Sequence, residues 1–154
     1  MNKLFSYYEG ELAEFISVAM TESKVLIKRV IADVSPSLVE SLRKCGLAID
    51  AGWKHTLDNS AVRHTIKMHG SDKEVLRGQM PVTKEDLLLI PYIVDQFDVI
   101  TIERNRRNQD VIIYAKAMAD GITYYVEEVR QGRRELAAST MYKRKKENSP
   151  TQMD

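Results

Sequence analysis

The stretch Val111-Ile112-Ile113-Tyr114-Ala115-Lys116-Ala117-Met118-Ala119-Asp120-Gly121-Ile122-Thr123-Tyr124-Tyr125-Val126-Glu127-Glu128-Val129-Arg130 decides the fold. It consists of two runs rich in β-branched and aromatic residues, broken by Asp-Gly. Such side chains suit a pleated surface, and Asp-Gly between two such runs is a hairpin signal. In the second run Tyr125, Glu127 and Val129 fall on one face, and Tyr124, Val126, Glu128 and Arg130 on the other. The same period continues outward. Val99–Glu103 precedes the hairpin across the polar stretch Arg104–Asp110, and Leu136–Tyr142 follows it across Gln131-Gly132-Arg133. A glycine-centred link of that length is a second hairpin signal. Four consecutive strands with short polar connections predict an antiparallel meander. In its last strand Leu136, Ala138, Thr140 and Tyr142 oppose Ala137, Ser139 and Met141, and small residues there suit close approach by a helix or ligand.

Before Val99 the period is mostly helical. Leu4, Tyr8, Leu12, Phe15 and Ile16 predict a helix over 4–19, and Lys24–Ile31 is apolar and β-branched enough for a strand. Ser35-Pro36 places a capping hydroxyl before a proline at the first helical position. That helix turns Leu38, Val39 and Leu42 inward and stops at Gly46. Trp53–Leu57 reads as extended. Asp58 or Asn59 then opens a helix through Met68, closed by Gly70, with Val62, Ile66 and His69 on one face and His64 and Met68 on its flank. Thr83 and Asp86 form a capping-box pattern ahead of Leu87–Ile90, and Pro91 bends or ends that segment. The plan is α+β, with N-terminal helices packed on a four-stranded antiparallel meander. Residues 1–24 read as an N-terminal helix or linker, 25–144 as one α+β domain, and 145–154 as a tail disordered by composition.

The totals narrow the function classes. A chain of 154 residues holds one domain with a modest core. Its net charge of +1 supplies no strong overall field, so any site for a polyanion must be a local basic patch. The single cysteine, Cys45, excludes an internal disulfide and fits a reducing compartment; set among Leu42, Leu47 and Ile49, it reads as a small buried hydrophobe. No run approaches the roughly 18 apolar residues of a membrane span, and Glu9, Glu11 and Glu14 break any secretory core near the start. A soluble protein with no membrane partner is expected.

Three histidines remain: His55, His64 and His69. On a helix, His64 and His69 point about 140° apart, and no paired Cys-x-x-Cys or His-Glu-x-x-His stands near them, so no metal site is expected. Glycine-rich nucleotide loops are lacking, so no cofactor is expected either, and Ser139 and Thr140 have no hydrolase elbow around them. What these residues suit is acid–base work on a phosphate. Cleavage of RNA by its own 2′-hydroxyl needs a base, an acid and a cation against the developing charge. His64 with His69 or His55 supply the proton carriers, Lys67, Arg63 or Arg130 the cation, and Thr140 or Tyr142 the anchor. Arg63, His55 and Tyr125 are candidate contacts to the substrate, although a strand tyrosine more often packs in a core.

Four blocks in order carry a resemblance: Trp53–Gly70, Pro81–Pro91, Tyr124–Arg130 and Leu136–Lys143. Together they resemble the phage-associated barnase–EndoU–colicin–RelE-like nucleases, over roughly residues 25–144. The resemblance implies a helix followed by a four-stranded antiparallel sheet, and metal-independent RNA cleavage leaving a 2′,3′-cyclic phosphate. It points to His64, Lys67 and His69 in the first block, and to Arg130, Thr140 and Tyr142 in the later ones. It further implies RNA as substrate, an immunity or antitoxin protein or a phage head protein as partner, and action as a toxin in the host cytoplasm or aboard the virion. The expected cleft lies between the 59–69 helix and the sheet. The competing reading is a catalytically inactive phage structural or interaction module with the same fold. Convergence of His64, Lys67, Arg130 and Thr140 in one pocket favours the nuclease; their dispersal favours binding.

Overall fold

A computed structural model of the chain describes residues 5–21, 26–71, 73–76 and 78–145. Strand β1 (Phe5–Tyr7) and helix α1 (Leu12–Ala19) come first, then β2 (Leu26–Asp33), α2 (Pro36–Lys44), β3 (Lys54–Asp58) and α3 (Asn59–His69). Short elements follow: α4 (Lys73–Leu76), β4 (Gln79–Met80), α5 (Lys84–Leu87) and α6 (Ile90–Gln96). The chain closes with β5 (Val99–Arg104), β6 (Asp110–Met118), β7 (Gly121–Arg130) and β8 (Glu135–Lys145).

The predicted meander is present as β5–β6–β7–β8, and it is half of a larger object. The sheet has eight strands in the order β1-β2-β3-β8-β7-β6-β5, with β4 on the far part of β8. Two of its pairings are parallel: β1 on β2, and β3 on β8 through Lys54↔Glu135, His55↔Leu136 and Thr56↔Ala137. The four-stranded antiparallel sheet is thus corrected to a mixed sheet. Parallel partners some eighty residues apart leave no local turn signal. Both hairpins also differ in detail. Met118 pairs with Gly121, so Ala119-Asp120 makes the first turn. In the second, Gln131–Arg133 forms a 3₁₀ turn and Arg134, not Gly132, takes the left-handed conformation at φ 55°.

The predicted 4–19 helix divides. Phe5–Tyr7 is a strand because its backbone pairs with Leu26–Lys28, a long-range ladder that overrides the helical spacing. The chain then turns at Gly10, whose carbonyl accepts from Arg29 Nε at 2.8 Å. Phe15, Ile16 and Ala19 of α1 lie in the same core cluster as Leu38, Val62 and Leu136, so α1 packs into the core. Of the expected disordered tail 145–154, Lys145 belongs to β8, and the rest, 146–154, lies outside the described residues. No helix is long and apolar enough to cross a membrane, among the described residues.

Helix boundaries follow the predicted caps. Ser35 Oγ accepts from Leu38 N at 3.1 Å, Asp58 Oδ1 accepts from Ala61 N at 2.7 Å, and Thr83 with Asp86 completes a capping box. Gly46 closes the turn after α2 at φ +90°. Gly70 is needed for another reason: a Cβ there would sit 2.5 Å from the Ile66 carbonyl oxygen. Cys45 is exposed, while its neighbours Leu42, Leu47 and Ile49 are buried; its assignment to the core is corrected, because it falls at the C-cap where the side chain leaves the apolar face.

The helices gather on the sheet face that carries Thr123, Tyr125, Glu127 and Val129, all buried. Lys143 and Lys116 share that face, and they reach Asp86 of α5 at 3.1 Å and the Tyr92 ring of α6 at 5.5 Å. Helix α3 runs along β8 between that strand's partners β3 and β4. The opposite face is more open: Ile122 and Val99 are 38% and 57% exposed, and Tyr124, Val126, Thr140 and Tyr142 are half-buried. Leu42, fully buried in the core, is expected to cost about 2–5 kcal/mol on truncation to alanine, and Ser35→Ala about 1 kcal/mol. Both are checked as shifts of the urea midpoint at unchanged slope.

Candidate active site on the open sheet face

Strand β8 sets the site. A bulge at Ser139 shifts its register, so Ala138 opposes Glu127 and Thr140 opposes Val126. After the bulge Thr140, Tyr142 and Arg144 share the open face with Val126, Tyr124 and Ile122. Tyr124 and Tyr142 sit directly opposite and stack, ring centroids 4.9 Å apart at 13°. The Arg144 guanidinium lies 5.5 Å over the Tyr124 ring, a cation–π arrangement.

Helix α3 brings His69 to the same place. Its ring centroid is 5.9 Å from that of Tyr142, and its Nδ1 bonds Glu74 Oε2 at 3.1 Å. The Glu74 carboxylate is fully buried and His69 is 20% exposed. With the carboxylate accepting, Nδ1 carries the proton and Nε2 is the nitrogen left for chemistry, the usual way an acid orients an imidazole. Val82 N donates to the His69 carbonyl at 2.7 Å and fixes the helix end. Thr140 Oγ1 is buried without a hydrogen-bond partner among the described residues, an unusual and costly state for a hydroxyl. Partial burial raises the Tyr142 phenol pKa above its ordinary 10.0, against the pull of Arg144 and with a push from Tyr124. Tyr142 is therefore a neutral donor at physiological pH.

The sequence candidates divide accordingly. His69, Thr140 and Tyr142 come together. His64 and Lys67 lie on the exposed side of α3, away from its buried Val62 and Thr65. Arg63 turns toward α1, donating to the Ala19 carbonyl at 3.3 Å. Arg130 is on the open face, but it pairs with Glu135 at the start of β8, seven positions before Tyr142. At the rise of a strand that is roughly 20 Å away. Arg130 therefore stands apart from Tyr142, because residues far apart along a strand stay far apart in space.

His55 and Tyr125, the candidate substrate contacts, are both buried, and both turn to one carboxylate. His55 Nδ1 bonds Glu127 Oε2 at 2.7 Å, Tyr125 OH donates to Glu127 Oε2 at 3.1 Å, and Tyr114 OH donates to Glu127 Oε1 at 2.6 Å. This is a satisfied buried network within the core face. Sequence reasoning missed three members of the open-face site. Arg144 falls just past the strand predicted over Leu136–Tyr142, although the alternation Thr140, Tyr142, Arg144 continues it; Tyr124 was hidden by its neighbour Tyr125; Glu74 gave no local signal. Among the described residues no three His, Cys, Asp or Glu side chains are grouped to hold a metal ion.

A mixed sheet with helices on one face and a histidine–tyrosine cluster on the other defines the protein as α+β. Residues 33–149 match the model of the phage-Barnase-EndoU-ColicinE5/D-RelE-like nuclease 3 family, and the chain belongs to that family. No curated protein and no solved structure matches it.

Burial, then the Glu127 charge, push the Tyr114 and Tyr125 phenols well above pKa 10.0. The folded state therefore holds these protons more tightly than the unfolded chain. Their contribution to stability is complete below pH 10 and declines as the pH rises above it. In an alkaline titration followed by phenolate absorbance, these two tyrosines are expected to ionise last and together with unfolding. Their ionisation in the folded protein, ahead of unfolding, would contradict this.

Proposed function

We propose that the protein is a metal-independent endoribonuclease whose reaction centre is the His69–Tyr142–Thr140 cluster on the open sheet face. The observation that carries the reading is His69, held by the buried Glu74 with its ring against Tyr142 in a nuclease-family chain. In this reading a base of the RNA stacks on the Tyr124–Tyr142 platform, as bases do on exposed aromatic rings. His69 Nε2 takes the proton of the ribose 2′-hydroxyl, and the 2′-oxygen attacks the adjacent phosphorus. The bond from phosphorus to the 5′-oxygen breaks, leaving a 2′,3′-cyclic phosphate and a new 5′-hydroxyl. Tyr142, neutral by burial, gives the proton to the departing oxygen, and His69 returns its own through solvent. Thr140 Oγ1, otherwise unpartnered, donates to a non-bridging oxygen, and Arg144 offsets the charge that builds there.

His64 and Lys67, three positions apart on the exposed side of α3, are helix-surface neighbours. They take the role of a basic rim over which the strand approaches. RNA as substrate is supported by the acid–base pair and by the aromatic platform. The dispersal of the remaining cations favours the second reading, an inactive binding module.

The test is cleavage of a single-stranded RNA in EDTA. His69→Ala is expected to lose at least ~100-fold and Tyr142→Phe ~10–100-fold, the range of one acid–base contribution, while His64→Ala stays within about tenfold of wild type. Equal cleavage by wild type and His69→Ala overturns the assignment, and no cleavage by folded wild type leaves the binding module.

A further inference from the structure

At the far end of the same face two connections lie side by side. The Asn105–Gln109 loop joins β5 to β6 and the Gln131–Arg133 turn joins β7 to β8; Arg104 pairs with Asp110 across the first and Arg130 with Glu135 across the second, and Val111 pairs with Glu128 between them. Six of the chain's eleven arginines fall here: Arg104, Arg106, Arg107, Arg130, Arg133 and Arg134. On a chain of net charge +1, this is the local basic patch that a polyanion requires. Between the connections lies a cavity of about 590 Å³ with Arg107, Arg130 and Arg133 in its walls, together with Glu128 and Asp110.

Its walls carry three arginines, Arg107, Arg130 and Arg133, against two acids, Glu128 and Asp110. Glu128 is shared, accepting from Arg107 at 2.9 Å and from Arg130 at 3.3 Å, so one carboxylate stands between two guanidiniums. Asp110 is engaged by Arg104 at 3.2 Å. The shared carboxylate also fixes both guanidiniums, and Asn105 Oδ1 holds the loop by accepting from Arg107 N at 2.9 Å. A cation held in place before binding loses less entropy when it binds.

We propose that this cavity is a phosphate subsite for single-stranded RNA, engaging the backbone several nucleotides from the bond at which His69 acts. The proposal rests on the reading that the strand lies along the Tyr124–Tyr142 face. Arg130 and Tyr124 share that face of β7 six positions apart, roughly 20 Å at strand rise. A stacking platform at one end and arginines at the other form an extended groove, whose site size is about four or more nucleotides. Arginine forks suit phosphate oxygens, and the aromatic end favours a nucleic acid over an acidic protein.

The test measures binding without cleavage, by fluorescence anisotropy of 2′-O-methyl oligoribonucleotides, whose blocked 2′-oxygen cannot attack. Wild type is expected to bind a strand of about eight nucleotides at least tenfold tighter than a dinucleotide. Arg107→Gln combined with Arg133→Gln is expected to remove most of that gain and to reduce the salt slope by about 1.4, or about 0.7 per lost contact on a single strand. The corresponding double lysine variant should recover the salt slope and part of the affinity. The length dependence of wild type needs no variant, so the test survives a glutamine pair that fails to fold. Equal affinity for long and short strands, or equal binding by wild type and a folded glutamine pair, overturns the subsite. So does preferential capture of polyglutamate at these arginines, which would assign the patch to an acidic protein partner. Arginine-dependent, length-dependent binding by a protein that leaves RNA uncut would sink the nuclease reading and keep the subsite. Loss of the length dependence with His69-dependent cleavage intact would do the reverse.

Discussion

Glu127 has no solvent exposure, so its carboxylate must find every partner inside the protein. Burying such a group alone is among the most costly things a fold can do, and breaking one partner away leaves the others stranded. Here three elements of the sheet answer it: His55 from β3, Tyr114 from β6 and Tyr125 from β7 itself. The stacked Tyr114 and Tyr125 rings, 5.7 Å apart, surround the acid with apolar area while their hydroxyls point at it. A one-residue slip of β7 would turn Glu127 and Tyr125 together to the other face and leave His55 and Tyr114 without the acid they bond. The network therefore specifies register as well as contributing to cohesion.

That register decides what faces outward. With Tyr125 and Glu127 committed to the helix-covered side, Tyr124 must stand on the other, opposite Tyr142. The bulge at Ser139 lets β8 satisfy both halves of the sheet: Leu136 and Ala138 enter the core before it, and Thr140, Tyr142 and Arg144 reach the open face after it. Bulges commonly re-aim side chains beside functional sites. The parallel pairing of β3 with β8 then delivers α3 along the same strand, and its last residue, His69, arrives at Tyr142. Core and site are thus two consequences of one strand alignment.

A second buried ion pair shows the same economy at the other end. Lys28 and Glu135 meet at 2.7 Å, both nearly inaccessible, and tie β2 to the start of β8. Lys143 is held by Asp86 at 3.1 Å and Asp120 at 2.8 Å. Burial opposes its charge, but these two acids outweigh that and raise its pKa. Charges that sequence alone assigns to solvent are here spent on fixing where β8 lies, which keeps Arg144 beside Tyr124.

The local features were legible from the sequence because their causes are local. Ser35, Asp58 and the Thr83–Asp86 box mark helix starts through bonds to residues three positions on, and alternation alone marks the meander strands. Partnership was not legible. Phe5–Tyr7 became a strand only because β2 was there to pair with it, and nothing near Lys54 announces Glu135 as a neighbour. Thr140 and Tyr142 could be placed on one face with each other, yet His55, equally plausible by type, was drawn into the core by Glu127, seventy-two residues away. Composition and periodicity determined which titratable residue types this protein has and which elements carry them. The tertiary structure decided which of them meet, because that depends on strand register and on the demand of buried polar groups for partners, and neither is encoded within a short window of chain.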